Sequence, residues 1–434
     1  MAQRLLDRLS AEEYLVFYAL AFTYPVYMIG GLYVLGSLIG WLVLAVFLLK
    51  VYLLGAKYFG VNPLLKISPI AWIWVLGMLV MLLALLVAHI DRQLGTGLTI
   101  KSSIGWAKGW ALLALFPVLG SMISIRPAVI ARGCCIAAAS AIPFAALGIV
   151  AYVVGLSGDL FLSPLKAIGG PGEVFQVRLF GMNPETGMAR WQFTGPWAPA
   201  AGLLSCFYLI LCMQEKNVRW RCAGIFGAFV MCMLCQSRAG WAIFFAIVPI
   251  MIVLGNLKNP LSWVAMGVVL PVLVLLGEPV YNWVMDSYQQ VKESRPGSTR
   301  VRGTLARLAV QRWQNEAPIW GHGVVERGPK IVEHMPIGTH HSWYGLLFVK
   351  GIVGLLALAI PLALTSIYLL WLAQRSKIAL TALGICVITV SYSFFENLEI
   401  LAYLYWPASL WLGISLAPGR FEKSNAPTVS KERV

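Results

Sequence analysis

Apolar runs long enough to cross a bilayer recur from one end of this chain to the other. A helix spanning the hydrocarbon core needs about 20 apolar residues, and only helices and closed barrels satisfy their backbone polar groups there. The runs fall at 14–30, 33–54, 67–89, 103–124, 127–155, 197–213, 220–236, 239–255, 261–277, 342–372, 379–396 and 399–417. They predict an all-α polytopic integral membrane protein with about 12 transmembrane helices. The first run divides at Gly30-Gly31 into a hairpin, and the last two divide near Glu396-Asn397-Glu399.

Composition agrees with that class. Of the 434 residues, 59% are hydrophobic and 12% charged, against about 25% charged in soluble domains. The net charge of +15 does not sit on a basic soluble domain, so nucleic-acid binding is not expected. With the N-terminus placed in the cytoplasm, every cytoplasmic connection is basic. Lys57 and Lys66, Arg126 and Arg132, Lys216, Arg219 and Arg221, Lys258, and Arg375 and Lys377 occupy them in turn. The tail adds Arg420, Lys423, Lys431 and Arg433. This follows the positive-inside rule, and long outer loops are exempt from it.

The expected organisation is nine membrane helices over 1–277, which include an outer loop at 156–196. A second outer loop follows at 278–341, then three helices over 342–417 and a cytoplasmic tail at 418–434. The eight cysteines lie in or beside apolar segments, so no disulfide framework is expected. The polar start, MAQRLLDRLSAEE, shows no cleavage site of a signal peptide.

Ionisable residues concentrate in the outer loops. Four of the five histidines (His322, His334, His340 and His341) fall between Ser294 and Gly354, with Arg295, Arg300, Arg302, Arg307 and Arg312. Titratable groups on the rim of an apolar body mark a candidate site. Arginine forks match phosphate oxygens, and a histidine suits proton transfer at neutral pH. No histidine spacing matches a metal motif, so no metal or other cofactor is expected.

Segments 278–295 and 307–320 each read as a short helix. Leu305, Leu308, Ala309 and Trp313 form its apolar stripe, with Arg307 and Arg312 facing away. Arg238 stands in QSRAGW at the tip of a membrane hairpin, where it either snorkels to headgroups or contacts a diphosphate. The first outer loop contains RLFGMNPETGMARWQFTGPWAPAAG (178–202), whose Gly, Pro and Asn content argues against regular structure. Its rings Phe180, Trp191, Phe193 and Trp197 suit either the membrane interface or sugar stacking. Arg190 and Trp191 here, and Trp343 beyond the histidines, are candidate substrate-binding residues. Glu396 and Glu399 are expected to make structural pairs. Asp91, followed by Arg92, is the only carboxylate between residues 14 and 155, which disfavours a metal-dependent sugar transferase.

APIWGHG (317–323) followed by THHSWYGLLFVKGIVG (339–354) resembles the signature of the O-antigen ligase and polymerase superfamily. In that pattern a Pro and a Gly-x-Gly precede a loop, then a His followed eleven residues later by Gly-x-x-Gly. Counting back from Gly351 and Gly354 puts the family histidine on His340, with His341 where the family commonly has Asn. QSRAGW resembles a further family element and carries its arginine on Arg238. The upstream arginine falls on Arg302, Arg300 or Arg307. The resemblance implies a bacterial inner-membrane glycosyltransferase whose site faces the periplasm. It implies an undecaprenyl-diphosphate-linked glycan as donor, a lipid A-core acceptor for a ligase or a second lipid-linked glycan for a polymerase, and no metal or nucleotide. His340, or else His341, would serve as catalytic base, and the arginines would hold the diphosphate. A transporter or flippase is the alternative of another class. No inverted repeat or matched pair of broken spans supports it.

Overall fold

A computed structural model describes residues 9–55, 67–183, 187–260, 263–264, 267, 296–326, 336–338 and 341–417. Most of the called span 261–277, the loop 278–295, His334, His340 and the tail 418–434 lie outside the described residues, as does the side chain of Arg302.

Helices carry nearly all of the regular structure. α1 (Ala11–Ala21) and α2 (Thr23–Met28) together occupy the first called span. Then come α3 (Leu32–Leu54), α4 (Pro69–Asp91), α5 (Thr96–Lys108), α6 (Trp110–Met122) and α7 (Pro127–Val153). After the first outer loop follow α8 (Ala198–Cys212), α9 (Val218–Leu234) and α10 (Arg238–Gly255). α11 (Pro296–Glu316), α12 (Ser342–Ala373), α13 (Lys377–Ser393), α14 (Leu398–Leu401) and α15 (Trp406–Leu416) complete the set. By length and composition six of the described stretches can cross a membrane: α3, α4, α5 with α6, α7, α10 and α12; α8 and α13 are shorter apolar helices. The protein is an all-α polytopic membrane protein.

Every called span except 261–277 coincides with a helix or a broken pair. The first break is at Phe22. The fourth span breaks at Gly109, between α5, which buries none of its residues, and α6, which is almost wholly buried. The Gly30-Gly31 hairpin is present. Gly30 has φ +69, and Ser163 packs where its side chain would stand, donating its Oγ to the Ile29 carbonyl at 3.1 Å.

The helices pack closely because small residues face neighbouring backbones, which matters where lipid supplies no hydrophobic drive. A Cβ on Gly227 of α9 would strike the Ala138 carbonyl of α7, and one on Gly77 of α4 would meet the Ala357 carbonyl of α12 at 2.5 Å. At the end of the bundle away from the outer loops, buried carboxylates tie helices by ion pairs. Glu215 accepts from Arg132 through both oxygens at 2.8 and 3.0 Å. Glu13 accepts from Arg126, and Glu12 from Lys50. All eight cysteines are free, and all but Cys222 are buried.

Among the described residues of 178–202, regular structure is confined to a strand end, one two-residue pair and the first turn of α8, as expected, whereas the earlier part of the first outer loop is also paired. β1 (Asp159–Leu162) pairs antiparallel with β2 (Gln176–Arg178), and β3 (Gly181–Met182) with β4 (Ala189–Arg190). The Tyr27 hydroxyl docks the first pair, donating to the Arg178 carbonyl at 2.9 Å and accepting from its N–H at 3.1 Å. The rings go inward. Phe180, Trp191 and Phe193 are buried in the main core, where Phe193 packs against Phe144 of α7. Burying aromatic area against the helices outweighs leaving it at an interface.

Candidate functional site

The two glycine motifs form a mutual clasp. α12 is interrupted at Gly351, where φ is 62° and ψ −165°. A break inside a membrane helix strands backbone groups on both sides, and each must find a partner. Segment 317–323 supplies them. His322 and Gly323 donate their N–H groups to the Phe348 and Val349 carbonyls, each at 2.8 Å. Ile352 and Val353 donate to the Pro318 and Ile319 carbonyls at 3.0 and 3.3 Å. The strands of backbone approach so closely that a Cβ on Gly351 would strike the Ile319 carbonyl. Gly321 and Gly323 turn the segment with φ of 74° and 80°, conformations that glycine adopts without steric cost.

The clasp fixes α11. That helix is longer than the short helix expected over 307–320 and opens at Pro296, a residue whose fixed φ suits a first turn. Val301, Leu305 and Ala309 form its buried stripe, packed on Ile337 and on Phe348 of α12. The expected apolar spacing is therefore present, but Arg312 does not face away. Its guanidinium lies 5.4 Å from the Phe348 ring centroid and bonds Glu316 at 2.9 Å and Glu326 at 2.6 Å. His322 stacks on Phe348 with ring centroids 4.2 Å apart, and its Nε2 is 2.8 Å from Glu316. The Arg312 guanidinium, with a lesser contribution from His322, holds the Glu316 carboxyl down to about 2 against the opposing effect of burial. Arg92 adds a bond from α4 to the Glu316 carbonyl at 2.6 Å. Arg312 and His322 are thus committed to holding the clasp.

The remaining arginines divide by helix geometry. At about 100° per residue, Arg300 and Arg307 share the face opposite the buried stripe, and position 302 borders the stripe. Arg300 and Arg307 are exposed.

α12 begins at the rim. His341 caps it, and Nδ1 accepts from the N–H groups of Trp343 at 3.2 Å and Tyr344 at 3.4 Å. Ser342 is buried; it donates to the Glu396 carbonyl at 2.6 Å and accepts from Leu398 N–H at 3.0 Å. Trp343 donates its indole N–H to Ser393 at 2.8 Å. The Glu396 carboxylate accepts from the Trp197 indole at 2.7 Å. These contacts lock the start of α12 to the turn between α13 and α14.

Arg238 is the exposed first residue of α10. The turn before it, where Gln236 has φ +49, is held from the first outer loop. Arg190 donates to the Cys235 and Gln236 carbonyls at 2.8 and 3.3 Å, and Gln236 returns a bond to Ala189. Ser237 caps α10, and Trp241 donates its indole N–H to the Cys232 carbonyl at 2.7 Å. A Cβ on Gly240 would meet Gly202 of α8 and the Tyr392 hydroxyl, and Tyr392 precedes the Ser393 that holds Trp343. Arg238 and His341 are therefore presented by elements that meet at the end of α13.

Among the residues named from sequence, Arg238, His341 and Trp343 lie on elements that meet at the end of α13. α11 with its arginines is clasped to the same half-helix. Arg190 supports the Arg238 turn, and Trp191 lies within the wall behind it. Ser342, Glu316, Glu326 and the Gln236 turn were not singled out. Only the Arg312–Glu316 pair, four residues apart on one helix, had a readable signal.

The fold defines a polytopic membrane protein, with Arg238 and His341 on elements that meet at the end of α13. Residues 223–359 match the family described as O-antigen ligase. No curated protein matches the chain. The matched stretch runs from α9 to the middle of α12 and contains Arg238, α11, both glycine motifs and the histidine pair. The match supports a ligase- or polymerase-like role in O-antigen processing.

Proposed function

We propose that this protein is an O-antigen ligase. It transfers glycan from undecaprenyl diphosphate to a sugar hydroxyl of lipid A-core, with one inverting displacement at the anomeric carbon. The observation that carries the reading is the clasp. It joins the arginine-bearing helix α11 to the half-helix that His341 caps. A group that takes a proton from the attacking hydroxyl and cations that receive the departing diphosphate must keep a fixed relation for such a transfer.

In this reading His340 accepts the acceptor proton as its oxygen attacks. Arg238, with Arg302 and Arg300 and Arg307 as the further candidates, stabilises charge growing on the diphosphate. The site faces the periplasm of a bacterial inner membrane. Neither a metal nor a nucleotide is called on.

The deciding experiment supplies purified enzyme with a lipid-linked glycan and lipid A-core. Glycan on the core supports the ligase. Longer lipid-linked chains without core product would make the protein a polymerase instead. Movement of glycolipid across proteoliposomes with neither product would make it a transporter.

A further inference from the structure

The histidine pair has two members, and the geometry of one restricts its chemistry. A neutral imidazole has one ring nitrogen with a lone pair and one with a proton. In His341 the lone pair is on Nδ1, because that atom accepts the backbone N–H groups of Trp343 and Tyr344 at 3.2 and 3.4 Å. These are the second and third residues of α12, the positions a capping side chain serves. The backbone of His341 is extended, with φ −153° and ψ 126°, as a cap requires. The opposite ring orientation would set a carbon against those two donors. Tyr344, with its ring centroid 4.3 Å away, and Phe394, at 6.0 Å and edge-on, hold the imidazole in place.

The proton is then on Nε2. A ring so engaged has no lone pair left to take a proton from a sugar hydroxyl. Capping and general-base catalysis are mutually exclusive for this side chain in one state.

We infer that His341 is a positioning residue rather than the base: its neutral ring caps α12 and fixes the first turn of that helix, which directly follows His340 in the chain. Ser342, pinned to Glu396 and Leu398, locks the next position along. Two consecutive side chains thus anchor the start of α12, next to His340 in the sequence. This rests on the transfer reading above.

The test uses the full-length protein in detergent with lipid-linked glycan and lipid A-core, comparing His341→Asn, His341→Ala and His340→Ala. An asparagine oxygen caps a helix well, whereas alanine does not. His341→Ala is expected to lower kcat about tenfold or more, the effect of a displaced catalytic group, with KM for both substrates little changed. His341→Asn should recover most of that loss, and His340→Ala should recover nothing. A His341→Asn enzyme as inactive as His340→Ala would overturn the inference, because the imidazole itself would then do the chemistry. A His341→Ala enzyme with wild-type kcat would overturn it equally. Should the wild-type protein transfer nothing, the functional reading fails. The cap is then judged on amide exchange at Trp343 and Tyr344. Faster exchange in His341→Ala with restoration in His341→Asn upholds it, and no change refutes it.

Discussion

Gly321 and Gly351 meet backbone to backbone, and a Cβ on Gly321 would lie 2.5 Å from the Gly351 nitrogen. Both have positive φ. That contact, with four backbone hydrogen bonds, joins the segment after α11 to the break in α12.

Gly351→Ala and Gly321→Ala should each destabilise the protein. The backbone strain alone costs about 1–3 kcal/mol, and displacement of the Ile319 carbonyl or the Gly351 amide adds to it. Thermal unfolding of purified protein in detergent checks this. Unchanged melting with unchanged transfer would mean the clasp is dispensable.

His340→Ala should abolish glycan transfer while the protein still inserts and unfolds normally. Arg238→Lys should lower kcat by about a hundredfold or more, the scale of removing one preorganised donor to a developing anion. A point charge replaces a planar fork in that variant. Single-turnover transfer measures both, and wild-type rates in Arg238→Lys would remove the diphosphate role.

The Glu316 carboxyl lies near 2 because of Arg312, below the roughly 4.3 of an unfolded glutamate. The unfolded chain thus binds this proton more readily. The stabilisation is complete above the unfolded value and is lost as pH falls through about 4 towards about 2. Its size is modest, since Glu316 is 40% exposed. Melting temperature should fall less steeply between pH 5 and pH 3 in Glu316→Gln than in the wild type. Equal slopes would argue against the pair.

Glu215→Ala leaves Arg132 buried without its carboxylate, as both side chains are under 10% exposed. Breaking such a pair costs about 3–5 kcal/mol. Arg132→Met combined with Glu215→Leu should recover much of this in denaturant unfolding. A double variant no better than Glu215→Ala would show that the pair does not act as a unit.

Much of the fold was legible because the bilayer permits so few solutions. An apolar run of spanning length must be a helix, so α3, α4, α7, α10 and α12 could be placed to within a few residues. Sequence does not say which surface an aromatic covers: Phe180, Trp191 and Phe193 are apolar enough for an interface or a sugar, and the core takes them. The direction of Arg312 is illegible for a related reason. That residue sits close to the buried stripe by helical angle, and Phe348, 36 residues further on, gives its guanidinium a ring to lie over.

The sequence by itself determined the class of protein, its membrane segments and the ordered set of motifs. Those follow from hydropathy and local spacing, which each residue carries with it. The tertiary structure decided what the motifs do. Only with 317–323 lying across the Gly351 break do the glycines become a clasp, and only with Trp343 and Tyr344 turned into a helix does His341 become its cap. Both roles consist of backbone donors and acceptors finding partners across a break or at a helix start. Such partners exist only once the chain has folded.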